Sequence, residues 1–585
     1  MPEYKNPQTE PGMERNLLLV FLLLAVVIFA SQFFMRRNTP QQPPSTAHPS
    51  QPIQPGTPPP AQTVTPPPEH PELSPAKSHR AQPAPKQAPS ESEIVVENAL
   101  YRVTFTNRGA VAKSWILKKF SDDQGRPLDL VHSAAAAKYG YPLSLWSYDE
   151  SLRSKLNSVL YVPNPSSQSL SAPASLTFEY SDSSLTVRKR VHFDDSYVVD
   201  IETSFFDDGH PADAFPAWPA GFGDQTNLQA YASSQFDYQF NNSTEHLTAK
   251  KVSGGNTLHG SFNWAGVSSA FFAAVFIPDD PNDLNVVTLH NIIDVTPDPS
   301  KPNETKPGDV LGAAVGRAGE TRQRLFVGPK SLEVLEAVQV PTIIGAEKDL
   351  RGLVNFGSLG LIARPLFLWL RWTNKYVHNW GWSIVIQTLI ITLALLPLRI
   401  TQMKSALKMQ RVQPQMKAIQ EKYKKYGMRD PRKQEMQKEI AELYKREGVN
   451  PVGGCLPLVV QLPFLWAYYK MLGAAIDLRQ AHWLWIHDLS SRDPYFLLPL
   501  IMVISMFVMQ KMTPQTGMDP AQQRMMNFMM PAMMGFIFFN LAAGLNLYYA
   551  ESNLIMILQQ WIMNRTELGR EMRELAAKRA RKKEK

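Results

Sequence analysis

A few polar and ionisable side chains lie inside long apolar runs, and these are the residues best placed to do chemistry. Lys470 interrupts the run 456–476 and Glu551 the run 545–562. Gln387, Thr388 and Thr392 give the run 382–398 a polar side, and Arg399 follows it immediately. Ionisable groups in such surroundings are costly, turn toward a bundle interior or water, and often pair. The chemistry they offer is charge pairing and hydration in an apolar setting. Arg399 either stands at the mouth of a polar cavity, its stem snorkelling, or is a plain flanking charge.

Helices must position these groups. The five apolar stretches 382–398, 456–476, 495–509, 528–539 and 545–562 approach the roughly 20 residues that cross a bilayer core. The last two are separated only by a short turn, Asn540-Leu-Ala-Ala-Gly544. The insert 400–449 and the tail 564–585 carry Lys and Arg well in excess of Asp and Glu, and loops of that kind stay on the cytoplasmic side. The formal charge of +8 therefore marks topology and implies no specific nucleic-acid sequence as partner. The chain reads as a polytopic α-helical membrane protein, and the slightly negative mean hydropathy reflects one large polar segment between the first apolar stretch and the rest.

That first stretch, 16–35, is flanked by Arg15 and by Arg36-Arg37. A cleaved signal peptide would have a shorter core and small residues before its cut, and Phe29 spoils the best site. The stretch is read as an uncleaved first span, after residues 1–15. Counting back from the cytoplasmic insert gives six spans, both termini in the cytoplasm, and residues between spans one and two outside the inner membrane. With this direction Lys470 and Glu551 both lie roughly 10 Å below the outer surface, at 1.5 Å per residue. They are positioned either to pair or to snorkel separately.

The outer segment opens with a linker, 36–92, dense in Pro, Gln, Ser and Thr, which cannot bury a core and behaves as an extended tether. From 93 to 345 the pattern changes. Tyr101, Val103 and Phe105 alternate with polar neighbours, as do Leu176, Phe178 and Tyr180, and after a polar turn Leu185 and Val187. Period two with polar turns predicts antiparallel strands in a large all-β sandwich. It holds no nucleophile elbow, metal-ligand spacing or phosphate loop, so no catalytic residue, metal or cofactor is expected. Cys455 is alone, which excludes an internal disulfide or thiolate cluster.

Residues 358–376 place Leu366, Trp369 and Leu370 on one helical face, with Arg364, Arg371 and Lys375 elsewhere. This suits a helix lying in the membrane interface or, equally, a packed connector. The insert reads as two helices, from about Gln402 to Lys425 and from Pro431 to Arg446, broken at Gly427 and Asp430-Pro431. Both are short of large apolar residues, so neither is a span. The pair is expected to be poorly anchored, serving to receive a nascent chain or simply to connect.

Asn379-Trp-Gly-Trp-Ser383, Pro397-Leu398, Met409 and Gln413-Pro414 resemble the YidC/Oxa/Alb family of membrane protein insertases, as do Asn450-Pro-Val-Gly-Gly-Cys-Leu-Pro457 and Leu478-Arg-Gln480. Trp485-Ile-His-Asp-Leu489, Asp493-Pro-Tyr495, Gln510-Lys-Met512, Leu547-Tyr-Tyr549 and Ser552-Asn-Leu554 continue the match. The resemblance runs from about Phe367 to Trp561, and the extra first span and outer β domain look like the Gram-negative YidC form. It implies an insertase rather than an enzyme, with a five-helix core over 380–563 and a periplasmic β-supersandwich. Its partners would be nascent membrane proteins, the ribosome (through the basic tail and hairpin), the Sec translocon and the lipid bilayer.

The resemblance also implies a hydrophilic groove, lined here by Gln387, Thr388, Thr392, Arg399, Lys470, Asn546, Tyr548, Tyr549, Glu551 and Ser552. The hairpin residues it singles out are Met409, Gln413, Pro414, Tyr423 and Tyr444. Many family members carry an arginine where this chain has Thr392, which places in doubt a buried arginine that draws in acidic clients. Twenty of the 23 methionines follow residue 350; they suit either adaptable client contact or ordinary packing. Two other readings differ in kind. A channel or transporter would show inverted repeats, and none is visible. A membrane-anchored periplasmic glycan-binding or assembly factor would place the function in the β domain.

Overall fold

Alternation at period two builds the N-terminal unit of the computed structural model, which describes residues 85–240, 243–252, 254–296, 304–341, 348–426, 430–449, 456–512, 520–567, 569–571 and 574. The expected first span and nearly all of the Pro-rich linker lie outside these residues. Two units divide the chain, one ending at Leu353 and the other beginning at Val354.

In the first unit, the strands Ala174–Ser181 and Leu185–Phe193 form the expected hairpin. Asp182 closes its turn by accepting from the Ser184 and Leu185 amides at 2.9 and 2.7 Å. The hairpin belongs to a ten-stranded sheet, joined by Val198–Asp207, Glu320–Pro329, Phe272–Pro278 and Phe262–Ser268 in spatial order. Phe262–Ser268 and Phe272–Pro278 are buried at every position, because both faces of the sheet are covered there and alternation has no use. A five-stranded sheet centred on Lys306–Gly316 packs Phe215, Ala217, Val287, Leu289 and Ala314 into a core. A second five-stranded sheet contains Tyr101–Thr106, whose Tyr101, Val103 and Phe105 are fully buried. Pairing begins slightly earlier than the composition predicts, since Lys86 already bridges to Ser181.

Lys189 is the unexpected member of this core. Its ammonium is buried and donates to the carbonyls of Gly109, Ala110 and Leu143 at 2.9, 3.0 and 2.7 Å. Burial pushes its pKa from 10.5 down to about 7. Between those values the unfolded chain holds a proton that the folded chain has released, so stability rises with pH across that window, by on the order of 1 kcal/mol per pH unit. Below about pH 7 both states are protonated and the slope vanishes. Lys330, also lowered by burial, acts in the same direction. Urea unfolding of the full chain in detergent at pH 7 and pH 9.5 should show this gain, and Lys189→Met should reduce it to the part that Lys330 supplies.

Eight helices build the second unit among the described residues: α1 (Gly360–Val377), α2 (Trp380–Ala394), α3 (Leu396–Lys422), α4 (Arg432–Arg446), α5 (Leu456–Ala474), α6 (Leu497–Met512), α7 (Pro520–Phe538) and α8 (Ala543–Arg565). No single one is long and apolar enough to cross a membrane, although α2 with the start of α3 passes as a pair bent by 46°. The predicted run 382–398 thus ends early. Pro397 in the first turn of α3 suits a helix start rather than a helix interior, and the chain bends there and continues into the insert.

One expectation needs correction. The α3–α4 hairpin has a core of its own: Val412, Met416, Ile440, Leu443 and Val449, flanked by Met409, Ile419, Met436 and Tyr444. Its apolar residues are spaced on one face of each helix, so a small count still makes a continuous seam. Its base is anchored as well, by Met403 and Leu407 against Met563 of α8. Helix α1 is packed on one face, where Ala363, Leu366, Phe367, Leu370 and Thr373 are buried, while Leu361, Leu368, Trp372 and Tyr376 remain exposed, so both readings of 358–376 fit it.

Candidate functional site

The helical unit is polar within and apolar without. On α2 the residues Ser383, Gln387, Thr388 and Thr392 recur at helical spacing and are all buried, whereas Trp382, Ile386, Leu389, Ile390 and Leu393 are exposed. A helix in water presents the opposite pattern. The outward faces of α6 and α8 repeat it with Leu500, Ile504 and Val508, and with Leu554, Leu558 and Ile562. On α7, Met529 and Met533 face outward too, away from the polar interior.

Gln387 ties three helices together. Its amide donates to the Leu366 carbonyl of α1 at 2.9 Å, and its oxygen accepts from the Tyr468 hydroxyl of α5 at 2.8 Å. Tyr468 stacks on Tyr548 of α8, with ring centroids 4.1 Å apart, and Tyr549 packs edge-on against Phe538. The Thr388 and Thr392 hydroxyls donate to carbonyls one turn back, at 2.7 and 2.5 Å. Their donors are thereby occupied and their lone pairs are offered to the interior. Asn553 of α8 donates to Ser505 of α6 at 3.1 Å, and Gln559 to the Thr392 carbonyl at 3.4 Å. Asn546 closes the turn between α7 and α8 by donating to Phe538 and Leu541 at 3.1 Å each.

Four buried acceptors here, Asn546 Oδ1, Glu551 Oε2, Gln559 Oε1 and Gln510 Oε1, have no protein partner. Buried polar atoms are nearly always satisfied, so each is explained by a further ligand or by hydration.

The predicted groove residues Gln387, Thr388, Thr392, Asn546, Tyr548, Glu551 and Ser552 all point into this region, with Tyr549 at its edge. Arg399 is half-buried and directs its guanidinium at Met556 Sδ. Lys470 is not brought in. Tyr468 occupies the inner face of α5, and two residues later the helix has turned about 200°, so Lys470 is exposed near Gly357. No ion pair joins it to Glu551. A double-mutant cycle on Lys470→Met and Glu551→Gln should therefore be additive in thermal stability to within about 0.5 kcal/mol. Sequence reasoning missed Tyr468, Ser505, Asn553 and Gln559, although the signal was the one used for the others, a polar side chain within an apolar run.

The hairpin residues serve its seam. Tyr444 donates to Met416 Sδ at 3.0 Å, Tyr423 to Glu439 at 2.8 Å, and Gln413 is buried. Pro414 is accommodated inside α3.

The short motifs find physical reasons at one end of the bundle. Asn379 caps α2 by accepting from the Trp382 amide, and its own amide donates to the His482 carbonyl, both at 3.1 Å. A Cβ at Gly381 would overlap the Trp483 ring. Gly381→Ala should cost about 1–3 kcal/mol through overpacking, read as a lowered Tm, and Trp483→Ala in the same chain should recover part of it. The backbone of Ala543 and Gly544 docks on Ser491 and Leu489 at 2.6 and 2.8 Å, which closes this end.

Comparison with known proteins follows the two units. Residues 93–369 match the family described as the YidC periplasmic domain, and residues 372–570 the family described as 60Kd inner membrane protein. A membrane protein insertase YidC from Syntrophus aciditrophicus is 32% identical over 490 residues, 81% of this chain and 85% of that protein. The chain belongs to the YidC family of membrane protein insertases. A YidC from Wolinella succinogenes is 42% identical over 254 residues, 43% of this chain and 44% of that protein. A solved YidC insertase with its first transmembrane domain resolved aligns over 83% of this chain and 95% of that one, at 18% identity and a TM-score of 0.35. The YidC parts are a periplasmic β-sandwich domain and a helical C-terminal region, as expected from the sequence.

Proposed function

We propose that this YidC family member receives hydrophobic segments of nascent membrane proteins and releases them sideways into the bacterial inner membrane through the polar interior of α2, α5, α6 and α8. The observation that carries this is the inverted polarity of the unit: Gln387, Thr388, Thr392 and Glu551 within, Leu389, Ile390, Leu554 and Leu558 without. A polar segment crossing hydrocarbon suffers a large desolvation cost. A polar interior with unpaired acceptors lowers that cost, and the client's own apolar helix supplies the driving force as it partitions into lipid.

In this reading the chain spans the membrane six times with both termini in the cytoplasm, and the β unit is periplasmic. The α3–α4 hairpin and the basic tail face the ribosome, and the Sec translocon is a partner for some clients. Reconstitution of the full chain in liposomes with a single-span client tests the core of it. Protease-protected client is the expected result, and yields no higher than in empty liposomes would overturn it. Labelling of Lys424→Cys only from the cytoplasmic side tests the topology.

A further inference from the structure

Among the described residues of α2, α5, α6 and α8, Glu551 is the one acidic side chain turned inward, and its surroundings are unusual for a carboxylate. It projects from α8 beside Thr388 of α2 and Tyr468 of α5, both neutral hydroxyls. Its Oε2 is fully buried and has no hydrogen-bond partner in the protein. Neither cation of the neighbouring helices answers it. Lys470 is exposed on the far face of α5. The Arg399 guanidinium lies against Met556 Sδ, five residues further along α8 and so about 7.5 Å down its axis.

A half-buried carboxylate with no cation beside it, and with the Thr388 hydroxyl as its donor, is still destabilising. Its persistence at the wall of a polar interior is explained when the missing partner is the transported segment itself. We propose that Glu551 is a specificity-determining residue, which pairs with a lysine or arginine side chain of the polar segment being carried across. This rests on the insertase reading above. An ammonium or guanidinium entering the interior exchanges some of its lost hydration for this carboxylate, whereas an incoming carboxylate meets a like charge with nothing to offset it. The insertase then favours clients whose translocated segment is basic.

The test uses the full chain in liposomes and three single-span clients that differ only at one central position of the translocated segment, Lys, Gln or Glu. The expected wild-type result is a Lys-to-Glu yield ratio of about fivefold or more, with Gln between. In Glu551→Gln that ratio should fall toward one, whatever the variant's total yield, and Glu551→Asp should retain it. A ratio that is equal in wild type and Glu551→Gln, or a wild type that prefers the Glu client, overturns the proposal. A second measurement needs no variant. A hydrophobic carbodiimide added during insertion of the Lys client should join its ε-amine to the Glu551 carboxyl as an amide, located by mass spectrometry. Products at other carboxylates alone would also overturn it. Failure of wild type to insert even the Gln client would instead remove the insertase reading on which this stands.

Discussion

Insertion by a Thr388→Val, Thr392→Val double variant should fall by roughly tenfold or more while the protein stays folded. Valine preserves the shape of threonine; both hydroxyls bond back to their own helix, at 2.7 and 2.5 Å, and Thr388 also reaches Glu551 and Tyr468. Packing within the bundle is therefore nearly unchanged. What disappears is a pair of hydroxyls on the buried face of α2, with the contacts of Thr388 to Glu551 and Tyr468. Leaving a polar group of the client without a partner costs about 1–3 kcal/mol on protein scales, and each 1.36 kcal/mol is tenfold in rate. Initial insertion rates in liposomes, together with thermal unfolding of the same preparations, separate loss of function from loss of fold. A full insertion rate would show that these hydroxyls do not serve the client.

Asp493→Ala should be the most destabilising single change in the helical unit, at about 3 kcal/mol or more. Asp493 is 1% exposed. Its carboxylate accepts from the Leu498 amide at 2.7 Å, from the Tyr495 amide at 3.1 Å and from the Trp485 indole at 3.1 Å. It thus organises the first turn of α6 and fastens the preceding loop to it. Alanine leaves three donors without this acceptor, one buried and two part-buried, at a cost of about 1–3 kcal/mol each where water does not reach. Asp493→Asn keeps one acceptor oxygen and should fall between. Thermal unfolding in a single detergent resolves the order, and a Tm unchanged in Asp493→Ala would remove the cap from any account of this loop.

Much of the candidate site could be read from residue types. Gln387, Thr388, Thr392 and Glu551 stand out because a polar side chain in an apolar run must be turned away from lipid, and each is turned inward. Lys470 obeys the same rule only in part: its long stem lets the ammonium leave the bundle, which a two-residue shift from Tyr468 makes easy. Its pairing with Glu551 was plausible by depth, and depth carries no information about azimuth. The hairpin seam was illegible for a related reason. Met416 and Leu443 are few in number, and a count of apolar residues overlooks that they share one face.

The sequence by itself determined the two-part organisation, the strand pattern from 93 onward, the helical insert and the inward set of polar residues. Each follows from local periodicity or from the cost of placing a polar group in hydrocarbon, and both act on every fold the chain could adopt. The family motifs were also visible as residue patterns, although their reasons were not. Only the tertiary structure decided that Gly381 makes room for Trp483, that Asp493 holds the start of α6, that Gln387 bridges α1 and α5, and that Glu551 is left without a cation. These depend on which helices meet and at what rotation about their axes, and that is settled by side chains far apart in the chain packing together.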